Sequence, residues 1–268
     1  MIKYYKLIFK KNIKENTSKK LEQLLAFIFV LSTPSKSWYK VAYRFALKTE
    51  VIKFEIKKLI RKSSFNNSKV ALTTSTGFRI AYKLNKILTL FTKLGVPFPI
   101  RTNKIIWEKP LNNNEGLILV SVHLPFSHLI VGNLLEEGFC VDAVIAFRES
   151  EDGLMSFIGT TKRIPIILSN GQVLIKAKTI LNKKGCVAMM ADTDTNADVS
   201  QNIFHFASRL SLKILFVFAY LRKDGIIETS LLNPPYPNSS NKFEVDENVR
   251  ALKKMREGIL SSYSKQYI

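Results

Sequence analysis

Two of the three histidines in this chain, His123 and His128, fall within one short stretch, V-S-V-H-L-P-F-S-H. A histidine at the end of a buried run is suited to general acid–base work, because a neutral imidazole can take up a proton near physiological pH. A carboxylate normally fixes the tautomer of such a base and steadies its cation. Five residues beyond His123 stands His128, not an acid, and the candidate carboxylates are Asp192 and Asp194 in the distant stretch M-A-D-T-D. Three arrangements stay open: His128 orients His123 weakly, Asp192 or Asp194 approaches it, or the fold persists without ordinary catalysis. Asp192 also reads as a helix cap or loop carboxylate. Two close histidines depress each other's protonation.

Other chemistries are poorly served. Ser127 sits in F-S-H, not in a G-x-S-x-G elbow, so it is no hydrolase nucleophile and is kept as a substrate contact. The histidine pair lacks the i, i+4 spacing of a helical zinc site, and no metal is expected. There is neither a G-x-G-x-x-G fingerprint nor a P-loop. Cys140 and Cys186 lie in apolar runs without a CxxC and read as buried free thiols. Arg148, in A-F-R-E-S, could meet phosphate or an oxyanion, or pair at the surface with Glu149 or Glu151. Arg163, in T-K-R, is a weaker candidate of the same kind.

The elements that must position His123 are legible around it. Gly116–Val122 is an apolar run of strand length rich in branched residues. Pro125 suits a first helical turn, Phe126–Glu137 is apolar and of helix length, and Gly138 stops it. On a regular helix a spacing of five residues sets side chains ~140° apart, so His123 and residue 128 can meet only if His123 precedes the helix. A strand that delivers a histidine to its carboxyl end, opposite a helix start, is where open α/β sheets keep their chemistry.

Further along, Cys140–Phe147, Ile164–Leu168, Cys186–Met190, Ile214–Tyr220 and Ile226–Leu232 read as strands. Asp152–Ile158, Gln172–Lys183, Val199–Ser211 and Glu247–Ser262 read as helices. The alternation implies an α/β domain over 106–268, with a mostly parallel mixed sheet flanked by helices. Before it, 1–105 is a basic helical region. Leu21–Leu31, Trp38–Leu47, 51–62 and 78–94 carry apolar residues at helical spacing. The continuous apolar core of the first, eight residues from Leu24 to Leu31, is too short to span a bilayer, which takes ~20.

The charge is one-sided. Of the formal +20, residues 1–109 hold 24 Lys+Arg against 5 Asp+Glu, and the rest is nearly neutral. Such a field expects a polyanionic partner, and the interleaved aromatics favour an anionic membrane surface over the domain's own flank. Nucleic acid is not expected, since the aromatics follow apolar stripes and no nucleic-acid motif is present.

Taken together, L-I-L-V-S-V-H-L-P-F-S-H, A-F-R-E-S, T-K-R and G-Q-V-L-I-K-A-K-T-I-L-N-K-K-G-C-V-A-M-M-A-D-T-D resemble the lipid A late acyltransferases, the lauroyl- and myristoyl-transferase group of the lysophospholipid acyltransferase superfamily. In that family a strand ends in H-x4-D/E, a later strand ends in Arg, and another ends in P-D-Q. Here His128 replaces the acid, and Ala191 and Thr193 flank Asp192. The resemblance implies transfer of a fatty acyl group from an acyl-carrier protein or coenzyme A thioester to a hydroxyl of a lipid or glycolipid such as lipid A, in lipopolysaccharide biosynthesis. His123 would be the general base, with His128 and Asp192 beside it. Arg148 and the backbone amides of Leu124–Ser127 would receive negative charge, with Arg163 and Ser127 as substrate contacts. It implies no cofactor beyond the donor thioester, and a peripheral or shallowly anchored place on the cytoplasmic face of the inner membrane.

Overall fold

The computed structural model describes residues 37–61, 75–93, 100–107, 115–147 and 152–266. The expected helix at Leu21–Leu31 lies outside them. Two helices come first, α1 (Trp38–Arg61) and α2 (Thr76–Lys93), followed by an α/β unit. Its elements are β1 (Thr102–Trp107), β2 (Leu117–Ser121), α3 (Ser127–Glu136), β3 (Ala143–Ala146), β4 (Leu154–Ser156), β5 (Arg163–Leu168), α4 (Val173–Asn182), β6 (Cys186–Met190), α5 (Asn202–Arg209), β7 (Lys213–Leu221), β8 (Ile227–Leu232) and α6 (Lys242–Lys265).

The fold is α/β, with eight strands in the order β1-β8-β7-β2-β6-β3-β5-β4. β7, β2, β6, β3 and β5 run parallel, while β8 and β4 are antiparallel to their neighbours β7 and β5. β2 lies at the centre and every residue of it is buried. That explains its unbroken apolar sequence, since a central parallel strand is covered on both faces. β2 and β6 pair in register from Leu117–Cys186 to Ser121–Met190, so their carboxyl ends finish side by side.

The structure departs from the expectations at several points. Asp152–Ile158 is not a helix but holds the short edge strand β4, antiparallel to β5. Asp152 accepts the Leu154 N–H and Gly153 turns at φ 67°, so the Asp-Gly pair starts a turn where the apolar content suggested a helix. Trp38–Leu47 and 51–62 merge into one helix, with no Gly or Pro between them to stop it. β1, half polar and at the sheet edge, adds a strand to those expected. Cys186 is buried, but Cys140 is exposed beside Asp142, whose carboxylate accepts from its thiol.

The first two helices share the core of the α/β unit. Trp38, Tyr39, Ile80, Leu84 and Leu88 are buried in the cluster that includes the sheet. Tyr39 donates to the Gly225 carbonyl at 2.6 Å and Tyr43 donates to that of Lys223, which clamps the turn between β7 and β8. Gly225 turns at φ 82°, and a Cβ there would stand 2.8 Å from the Tyr43 ring, so only glycine fits beneath the clamp. α2 packs on α6, whose stripe Val245, Val249, Leu252, Leu260 and Tyr263 is buried. α6 starts at Lys242, earlier than the expected Glu247, because Asn241 accepts the Glu244 N–H and Glu244 returns a bond to the Ser240 N–H.

Candidate functional site

The site is built where β2 and β6 end. Past Ser121 the chain turns sharply: the Leu124 N–H meets the Val122 carbonyl at 2.8 Å, and Phe126 sits in the left-handed region at φ 71°. A buried aromatic residue in that region is strained, and such strain collects at functional turns. Ser127 braces the turn from inside. Its hydroxyl donates to the Val122 carbonyl at 2.7 Å and accepts the Leu124 N–H at 3.2 Å. From α2, the Asn85 side chain accepts the Phe126 N–H at 3.3 Å. The turn therefore presents His123, whose side chain is 33% exposed, from a fully tied backbone.

Across from it, Ala191 and Asp192 follow the last residue of β6, Met190. The Ala191 N–H bonds to the Ser121 carbonyl at 2.8 Å, which carries the sheet pairing one step further and fixes the Asp192 backbone. The Asp192 side chain is wholly buried and gathers three donors. Its Oδ1 lies 2.7 Å from His123 Nδ1 and accepts the His123 backbone N–H at 2.8 Å, while Oδ2 lies 3.3 Å from Arg256 Nη1. With a carboxylate as acceptor, Nδ1 carries the ring hydrogen and Nε2 is the free basic nitrogen.

Arg256 comes from α6 and is buried. It also donates to the Ala197 carbonyl at 2.5 Å, and so supplies the counter-charge that a buried carboxylate requires. Asp194 does not reach His123. It is exposed and accepts the N–H groups of Asn196 at 2.7 Å and Ala197 at 3.0 Å, shaping the loop that offers the Ala197 carbonyl to Arg256.

The other expected site residues are placed differently. No hydrogen bond joins His128 to His123. The His128 ring lies against Phe157, with centroids 6.1 Å apart, and its pKa is pushed down to about 4, first by burial and then by the His123 charge. His128 is therefore neutral at physiological pH. Ser127 is buried and spends its hydroxyl on the turn. Arg163 stands at the amino end of β5, five residues before Leu168, roughly 17 Å along the strand from the edge that holds His123. There it pairs with Asp152 and also donates to the Leu154 carbonyl at 3.2 Å. Arg148 lies outside the described residues. The amides of Leu124, Phe126 and Ser127, expected to receive negative charge, are engaged within the turn or with Asn85. Residue 125 is proline and has none to offer.

Beside the turn, along the sheet under α3, lies a small, mostly apolar cleft of about 30 Å³ that opens to solvent. Leu119, Val144 and Met189 form its floor, Val131 and Phe157 its wall, and His128 puts an imidazole into that wall. Gly132 allows the wall to close: a Cβ there would come within 2.2 Å of the Ile158 carbonyl. Among the described residues no group of three or more His, Cys, Asp or Glu could hold a metal ion. None of their helices is long and apolar enough to cross a membrane.

Arg256 escaped the reading of the sequence, although a signal was present. It occupies one position of the apolar stripe Val245, Val249, Leu252, Leu260 and Tyr263, where a lone cation must find an anion. No protein-family model matches this sequence, and no curated protein matches it at a significant level.

Proposed function

We propose that this chain is an acyltransferase-like protein. It moves a fatty acyl group from an acyl-carrier protein or coenzyme A thioester to a hydroxyl of a lipid or glycolipid. It works as a peripheral protein on the cytoplasmic face of the inner membrane. The observation that carries the reading is the 2.7 Å contact between His123 Nδ1 and the buried Asp192 carboxylate, at the carboxyl edge of a parallel sheet and beside an apolar cleft.

In the reaction, His123 Nε2 takes the proton of the acceptor hydroxyl as its oxygen attacks the thioester carbonyl. Asp192 holds Nδ1–H and stabilises the imidazolium that forms. The tetrahedral intermediate collapses, the C–S bond breaks, and the departing sulfur receives the proton from His123. Ester and free thiol are the products. The small cleft suits the tip of an acyl chain rather than a charged group, because its lining is mostly apolar and its polar side chains, Ser121, Ser127 and the neutral His128, carry no charge. The basic N-terminal sequence suits an anionic lipid surface.

Lipids from cells with and without the intact gene are compared by mass spectrometry, and the deficient strain is complemented with wild type or His123→Ala. A species lighter by one acyl chain is expected in the deficient strain, restored by wild type and not by the variant. Full restoration by His123→Ala would remove His123 from the chemistry. No lipid change at all would leave a non-catalytic lipid-binding protein of the same fold.

A further inference from the structure

Phe147, Leu174 and Ile175 are large apolar side chains left open to solvent, at 62, 49 and 68% exposure. They belong to different elements but to one edge. Phe147 follows the last residue of β3, Ala146, which pairs with Leu168 at the end of β5. The Ser169 N–H closes on the Ala146 carbonyl at 2.9 Å, and Asn170 accepts the Gln172 N–H at 3.0 Å, turning the chain into α4. Leu174 and Ile175 fill the first turn of that helix. Leu174 shares a helical stripe with Ala177 and Leu181, which are buried, yet is itself half exposed, so the apolar stripe runs on past the edge of the sheet.

β2, β6, β3 and β5 are parallel, so this is also the edge at which His123 and Asp192 stand. At ~4.8 Å between strands, the rim lies roughly 10–15 Å from His123. Lys176 and Lys178, both exposed, flank it. Phe45, Val51, Ile52 and Tyr82 on the first two helices and Phe243 on α6 are exposed as well. Lys83 and Lys86 lie over the Phe45 and Tyr82 rings, 5.2 and 4.8 Å from the centroids, and Val51, Ile52 and Phe243 belong to α1 and α6, not to the rim of β3, β5 and α4.

We propose that this rim is where the folded α/β unit enters an anionic bilayer. Phe147, Leu174 and Ile175 reach the boundary between headgroups and acyl chains, and Lys176 and Lys178 meet lipid phosphates. Charge complementarity and apolar exposure together select a lipid surface. Contact here brings the acceptor to the His123 edge. The proposal deepens the reading of acyl transfer at a lipid surface and rests on it for its purpose. A rim that enters lipid in a protein that transfers no acyl group would defeat that reading and leave this one standing.

The test uses the full chain with Cys140→Ser, carrying bimane on Ile175→Cys or, as control, on Lys184→Cys at the far end of α4. Each is mixed with vesicles of phosphatidylcholine and phosphatidylglycerol containing nitroxide-labelled acyl chains. Emission at position 175 is expected to shift to the blue and to be quenched about twofold or more, while position 184 stays unquenched. Bound protein whose label at 175 remains in water overturns the proposal, because the basic N-terminal sequence then holds the membrane alone. Equal quenching at both positions, or no binding to these vesicles, overturns it as well.

Discussion

His123 and Asp192 are 69 residues apart in sequence, and their side chains meet at 2.7 Å. The same carboxylate oxygen also accepts the His123 backbone N–H at 2.8 Å, so Asp192 fixes both the ring and the turn that carries it. Asp192→Asn keeps the shape but can present a donor or an acceptor to Nδ1, and the tautomer with a basic Nε2 is no longer enforced. Transfer is expected to fall by about 10³–10⁴ in kcat. Single-turnover assays with a radiolabelled acyl thioester measure it, and a loss below tenfold would move the orienting role elsewhere. Asp194→Asn should leave kcat within a few-fold of wild type.

Arg256 tests the other side of the same carboxylate. Arg256→Met leaves Asp192 buried without its cation and should cost about 3–5 kcal/mol of stability. In the double variant with Asp192→Asn the cost should be smaller than the sum of the two single losses, because the variants share one interaction. Urea unfolding of the four proteins closes the cycle. Strict additivity would mean that the two side chains do not depend on each other.

His128 makes stability depend on pH. Its folded pKa of about 4 lies below the ordinary histidine value of 6.5. The unfolded chain therefore binds a proton that the folded chain refuses between those two pH values. Stability is full above pH 6.5 and falls as the pH drops toward 4, by about 2 kcal/mol at pH 5. His128→Phe should remove this component, visible as a smaller shift in the urea midpoint between pH 7.5 and pH 5. An unchanged pH dependence would show that the imidazole is well hydrated.

Restoring an acid at position 128 should not help. With Asp192 already on Nδ1, a glutamate there adds a charge to an apolar wall next to Phe157 and gains no new contact with His123. His128→Glu is expected to lower stability at neutral pH by about 1–3 kcal/mol and to leave kcat flat or reduced. A rise in turnover would mean that Asp192 is not the working partner.

Gly132→Ala probes the cleft wall. The helix propensity of alanine favours the change by up to about 1 kcal/mol, but its Cβ would lie 2.2 Å from backbone oxygen at Ile158. Backbone cannot yield as a side-chain tip can, so a net loss of about 1–2 kcal/mol is expected. A lowered midpoint by calorimetry, with a shift in acyl-chain preference, would follow from displacement of Phe157. An unchanged midpoint would mean that α3 slides freely over this segment.

The strand, turn and helix around His123 were legible because each is written locally, in a branched apolar run, a proline and a closing glycine. Asp192 could be named as a candidate but not chosen, since its approach depends on β6 lying beside β2, and strand adjacency leaves no mark in either segment. β1 and β4 were hidden for a common reason. Both are edge strands, half polar or only three residues long, and pairing with a neighbour rather than composition makes them strands. Arg256 was written plainly as a charge within an apolar stripe, but its partner was not.

The bond between Arg256 and Asp192 also orders events in time. The two residues are separated by 64 positions, and α6, the last element described, brings the cation. During synthesis the basic N-terminal sequence leaves the ribosome first, and the strands that carry His123 and Asp192 follow. Until α6 emerges, Asp192 has no counter-ion and α2 lacks the helix it packs against. A nascent chain therefore exposes its basic sequence long before it can hold its histidine in working order, and the site is completed only when the last described helix has been made.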